Sequence, residues 1–307
     1  MSLTSFLERK DVRDRFRQEF AMPGMKVKRE LLAPPLSNRY SLVGTAFDYL
    51  ARFYVKRLNP HAITRRWIAE QVLLDLSWMP IWRQNSQSDT TVYGFSWTPQ
   101  EDYIKDKRGT ILRLSELEKK VRQIVERARV DYADYLSSGR ITDELVESAL
   151  RLAQIDPIFR LGVVDKNLGD VHKEDMDDLL KLISLIDSQF FKAYCLCLLN
   201  PTFGEASSLV GGADADLVID NAIIDIKTTK NFRLDREDFN QLIGYFVLHE
   251  IAGFGNLAPR QSITRVGIYF ARFGYLHTID LDGIIRPETF PNFVKWFVAR
   301  ARQEYAA

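Results

Sequence analysis

Apolar residues recur at helical spacing over residues 3–20 and 41–58, and the intervening LLAPPLSN cannot continue a helix through its prolines. The same period predicts helices over 62–79, 111–137, 142–154 and 173–199. It fades across 80–110, which reads as a long loop with a short strand pair at TVYGFSW. Beyond a loop at 200–213 the grammar changes. Strands are expected at 215–219 and 222–229, a helix at 235–252, strands at 264–271 and 275–281, and a closing helix at 288–304. No internal repeat is present. The expected fold class is α/β (α+β): one module, mostly C-terminal, with a large helical insertion before its sheet.

Within the expected sheet, DADLVIDNAIIDIKTTK (214–230) places acids where a buried strand wants aliphatic residues. If Asp220 and Asn221 make a two-residue turn, Ile219 faces Ala222, Val218 faces Ile223, Leu217 faces Ile224 and Asp216 faces Asp225. Opposed residues share a face with Cβ atoms about 4.5–5.5 Å apart, and like charges so placed repel. Lys227, two residues past Asp225, shares that face. Two carboxylates and an amine converge, and a cation is expected to hold them.

Composition leaves this picture in place. The 307 residues are 46% hydrophobic and 27% charged, as in an ordinary globular protein able to bury a sizeable core. There is no run of eighteen apolar residues and the charged N-terminal stretch lacks a signal-peptide core, so no membrane association and a cytoplasmic address are expected. Cys195 and Cys197, in the apolar, helix-like run YCLCLL, read as core thiols. With two cysteines and four histidines, a cysteine-only iron–sulfur or zinc site is out of reach. Net charge is +1, but residues 1–70 hold 14 Lys/Arg against 7 Asp/Glu, leaving 28 against 34 in the rest. A basic N-terminal fifth suits a phosphate-facing surface, and equally a solvated helix face.

Asp216, the triplet Asp225-Ile226-Lys227, and Gln241 with Tyr245 one helical turn on all fall within thirty residues. In this order, as ADLVID, IIDIKTT and QLIGY, they resemble the PD-(D/E)XK nucleases in their RecB-like and lambda-exonuclease-like branch. That branch carries an aspartate opening one strand, D-x-K on the next and Q-x3-Y on the following helix. It also carries an earlier helix with a glycine followed four residues later by a metal-ligating histidine, or with a glutamate. Here SLVGTAFDYLARFYV has Gly44, and Asp48 at the ligand position. The four cysteines of some RecB-like nucleases are absent. The resemblance covers about 41–58 and 205–281. It implies a nuclease core, a central mixed sheet flanked by helices, with N-terminal helices at 1–60, a mainly helical insertion at 61–200, and the sheet, motif helix and C-terminal helix at 201–307.

What the resemblance implies is metal-dependent hydrolysis of DNA. A hard divalent cation lowers the pKa of water and grips the phosphate, and carboxylates suit Mg2+ or Mn2+. Asp216, Asp225, the carbonyl of Ile226 and Asp48 are the expected ligands. Lys227 would orient or deprotonate the attacking water, and Gln241 and Tyr245 would position the scissile phosphate. Lys230 and Arg233 would hold flanking phosphates. Bland readings stand beside these. Asp214 competes with Asp216 as the strand acid, Asp48 would pair with Arg52 at i+4, and Glu205 and His249 read as a solvated acid and a structural histidine. Trp82, Tyr93, Phe95 and Trp97 would stack on bases or anchor the long loop. A binding or scaffold subunit of nuclease fold and an RNA-directed nuclease are the alternative functions. The insertion suggests a protein partner or a homo-oligomer.

Overall fold

The structure, a computed structural model, describes the backbone of residues 2–85, 90–92, 95–97, 102–255, 257 and 261–305, and their side chains except those of 80–85, 90–92, 96 and 97. The chain opens with α1 (Leu3–Leu7), α2 (Lys10–Glu19), α3 (Tyr40–Leu58), β1 (Ile63–Thr64) and α4 (Ile68–Asn85). Four short strands follow: β2 (Thr90–Val92), β3 (Phe95–Trp97), β4 (Tyr103–Lys105) and β5 (Ile111–Arg113). Then come α5 (Leu114–Ser138), α6 (Asp143–Leu161) and α7 (Lys173–Ser184). The remainder is β6 (Cys197–Leu199), α8 (Glu205–Leu209), β7 (Leu217–Ile219), β8 (Ala222–Lys227), α9 (Arg236–Ala252), β9 (Arg265–Phe270), β10 (Tyr275–Asp280) and α10 (Phe290–Tyr305).

Two compact units result. The first is Met1–Pro34, Leu58–Arg65 and Leu185–Ala307; the second is Pro35–Arg57 and Arg66–Ser184. The first holds a six-stranded mixed sheet in the order β1-β6-β7-β8-β9-β10, with β1–β6 and β8–β9 parallel and the other pairs antiparallel. Leu217, Val218, Ile223, Ile224, Val266 and Ile268 are buried, as unbroken apolar runs in strands covered on both faces should be. Helix α9 is apolar nearly all round and lies inside the unit, with Phe239, Leu242, Ile243, Tyr245, Val247 and Leu248 buried. Gly244 lets α1 come close, for a Cβ there would stand 3.2 Å from Leu3 and Leu7. Phe6, Phe16, Phe293 and Phe297 lock α1, α2 and α10 together edge to face, at 5.1–5.3 Å for Phe6–Phe297 and Phe16–Phe293.

The β7–β8 hairpin has the register counted from its turn: Ile219 with Ala222, Val218 with Ile223, Leu217 with Ile224. Asp220 takes a left-handed φ of 52° there. Its carboxylate is put to use, accepting the backbone N–H groups of Tyr194, Cys195 and Leu196 at 2.7–3.1 Å, which leads the chain into β6. Burial would raise the Asp220 pKa, and these three donors hold it below the usual carboxylate value.

Several expected boundaries move. The helix expected over 173–199 stops at Ser184, and β6 follows a 3-10 turn at Ser188–Phe190. A short unbroken apolar run fits a buried strand as well as a helix. Here the side chain of Asn59 decides, donating to Phe191 O and accepting from Ala193 N, both at 2.8 Å. Cys197 is consequently a core thiol in β6, whereas Cys195 is exposed. The helix expected over 3–20 breaks into α1 and α2, β1 precedes α4, and β5 precedes α5. Helix α6 runs past 154 through Pro157 to a left-handed C-cap at Gly162.

In the second unit α4, α5 and α6 pack on one another beside an antiparallel sheet, β2-β3-β4-β5. The strand pair at TVYGFSW is β2–β3, and β4 and β5 extend it. Phe95 is fully buried and anchors that sheet. Tyr93 and the side chains of Trp82 and Trp97 lie outside the described residues. Helix α3, with Gly44 and Asp48, groups with this unit. Among the described residues no helix is long and apolar enough to cross a membrane.

Candidate active site

Strand β8 carries Asp225 and Lys227 on one face, near the centre of the sheet. The β7–β8 ladder ends at Leu217–Ile224, because 214–216 turns aside to pair with 200–202. Asn200 N–H donates to Asp216 O (2.9 Å), Ala215 N–H to Pro201 O (3.0 Å), and Asp214 bridges Thr202. The Ile226 N–H, which Ala215 would otherwise satisfy, instead donates to Asp216 Oδ2 at 2.6 Å. So Asp216 is the acid whose carboxylate meets β8, while Asp214 is tied by its backbone to Thr202.

Asp225 is 4% exposed. Its Oδ2 lies 3.0 Å from Lys227 Nζ, which also donates to Gln241 Oε1 at 3.0 Å and stands 3.5 Å from Asp238 Oδ1. Gln241 Nε2 in turn donates to the Tyr245 hydroxyl at 2.6 Å. Held at both ends, the Gln241 amide has one orientation. Tyr245 is buried and stacks on Phe203, with ring centroids 5.6 Å apart and planes 17° from parallel. The helix supplies these groups because Asp238, Gln241 and Tyr245 are three and four apart, hence on one face. Asp238 escaped the sequence reading; its spacing ahead of Gln241 was the available signal.

Charge follows geometry. Burial would depress the pKa of Lys227, but Asp225 and Asp238, with Asp216 beyond, overcome it and hold the ammonium well above its ordinary value. Burial, then the charges of Asp225, Asp216 and Asp214, push the Tyr245 phenol well above its ordinary value. Both groups therefore keep their protons at neutral pH and act as donors.

The other candidates are placed as follows. Lys230 and Arg233 are exposed just past β8, and Arg233 pairs with Asp235 at 2.8 Å. Glu205 is exposed on the first turn of α8. His249, one turn past Tyr245, is buried against the Phe254 ring (4.6 Å) with Nδ1 3.2 Å from Glu250. In the second unit Asp48 Oδ2 lies 2.5 Å from Arg52 Nη2, the i+4 pair, and Arg52 lies over the Tyr49 ring at 4.7 Å.

Among the described residues no group of three or more His, Cys, Asp or Glu side chains is placed to hold a metal. The donors beside β8 are two carboxylates, Asp216 and Asp225, and the Ile226 carbonyl, which shares a strand edge with the N–H that meets Asp216. That all-oxygen set fits Mg2+, which binds through one or two carboxylates and retains several waters. No protein-family model, curated protein or solved structure matches the chain.

Proposed function

We propose that the chain is a metal-dependent DNA nuclease with a PD-(D/E)XK-type core, using Mg2+ or, in its place, Mn2+. The observation that carries this reading is the line Asp225–Lys227–Gln241–Tyr245, joined at 3.0, 3.0 and 2.6 Å across β8 and α9, with Asp216 against the next peptide. Asp216, Asp225 and the Ile226 carbonyl would hold the cation. When bound, a hard cation supplies acidification of a water and neutralisation of phosphate charge. Lys227, protonated, orients the attacking water and donates to a phosphate oxygen. Tyr245, its oxygen already accepting from Gln241, turns its own proton toward the phosphate. Gln241 fixes both donors, and Lys230 and Arg233 take flanking phosphates.

Cleavage of linear and closed-circular DNA in Mg2+, Mn2+ or EDTA tests this. The wild type should cut only with a divalent ion, and Asp225→Ala and Lys227→Ala should cut far more slowly. Undiminished cutting by either variant removes the site.

A further inference from the structure

The second unit contains a cleft of about 490 Å3 between the β4–β5 turn, α5 and the segment after α6. That volume lies within the roughly 300–1,000 Å3 of small-molecule sites. Its floor is apolar, with Leu117, Val163 and Leu168 buried and Pro157 half-buried beside them. Its rim is basic. Arg113 is answered by Glu116 at 3.7 Å, but Arg108, Lys120 and Lys166 are exposed and, among the described residues, make no ion pair.

The rim is built from beneath. Asp106, 4% exposed, accepts from the backbone N–H groups of Arg108 (2.9 Å), Thr110 (2.8 Å) and Val164 (3.4 Å). Gln154, 1% exposed, accepts from Gly169 N and donates to Asp170 O, both at 2.6 Å. Lys107 N–H to Gly162 O (3.1 Å) ties the two loops together. Gly169, at φ 95°, lies so close that a Cβ there would stand 3.0 Å from Lys120 Cε, so the loop steers that side chain. Two buried polar anchors holding a cationic rim over an apolar floor make a preformed site rather than a surface dip.

We propose that this cleft binds a nucleoside phosphate, with the base on the apolar floor and the phosphates among Arg108, Lys120 and Lys166. A bare inorganic anion leaves the floor unused, and a neutral apolar molecule leaves three cations unanswered; a nucleotide satisfies both. The proposal is independent of the nuclease reading. The same chemistry arrives as a free nucleotide or as the terminal nucleotide of a strand.

Calorimetric titration of the full chain in EDTA, which keeps divalent ions out, separates these. The probes are ATP, adenosine, pyrophosphate and a 5′-phosphorylated oligothymidylate. Saturable binding of ATP or of the oligothymidylate, about tenfold or more tighter than adenosine or pyrophosphate, is expected, and the tighter of the two names the source. K120E/K166E, and separately R108E, should weaken it about tenfold or more with an unchanged thermal melt. Pyrophosphate binding as tightly as both nucleotides, absence of saturable binding, or indifference to charge reversal in a folded variant would overturn the proposal.

Discussion

Each unit sets acids beside a base in largely apolar surroundings, and the two arrangements differ in their balance. In the second unit Asp48 and Arg52 face each other along one helix, 2.5 Å apart, and the buried Asp156 accepts from the Tyr49 hydroxyl at 2.8 Å. Burial raises the Asp156 carboxyl to about 6 against the pull of that hydrogen bond, Arg160 and Arg52. Acids there are answered by near neighbours, or tend to take up a proton. In the first unit Asp225, Asp238 and Asp216 all bear on the one ammonium of Lys227, which is 28% exposed. Three carboxylates bear on one ammonium in the first unit, whereas in the second the acids lie against guanidinium and hydroxyl neighbours.

The largest effects should fall on the unbalanced cluster. Lys227→Ala and Asp225→Ala are each expected to lower DNA cleavage by roughly 10²–10⁴-fold, read as initial rates at saturating Mg2+, while far-ultraviolet circular dichroism stays unchanged. Gln241→Leu and Tyr245→Phe leave the acids in place; the first disturbs the alignment of Lys227 and Tyr245, and the second removes a donor. A loss of about 10–100-fold is expected of each, and a combined loss smaller than the product of the two would mark them as one unit.

The smallest effect is on stability and belongs to the balanced cluster. A carboxyl at about 6 when folded and 3.8 when unfolded contributes stability that is complete below about pH 3.8 and lost as pH rises through about 6. Asp156→Asn abolishes that loss. Chemical denaturation should find the variant more stable than wild type at pH 7.5 by up to about 3 kcal/mol, with the gap closing near about pH 3.5. A gap independent of pH would contradict the assignment.

Much of the first unit was legible because its signals are local. Asp220-Asn221 fixes the hairpin by counting as far as Leu217–Ile224. The expected facing of Asp216 and Asp225 is not a ladder pair, because 214–216 pairs with 200–202 and Asp216 meets β8 through its side chain, at the Ile226 N–H. Spacing on α9 gave Gln241 over Tyr245. What stayed hidden depended on distant partners. Nothing in YCLCLL announces a strand, because the decision is made by Asn59, over a hundred residues away. The choice of Asp216 over Asp214 rests on a neighbouring segment, 200–202, that draws the chain aside and frees one carboxylate for the Ile226 N–H. Asp238 was visible at helical spacing but has meaning only once Lys227 is seen to reach α9.

The proposed nuclease requires a divalent ion shared by Asp216 and Asp225, and Mn2+ titration followed by calorimetry reads that ion without any substrate. Saturable binding to the wild type is expected, with a weakening of about tenfold or more in both Asp216→Asn and Asp225→Asn. Equal affinity in the wild type and both variants, or no saturable binding at all, would contradict it.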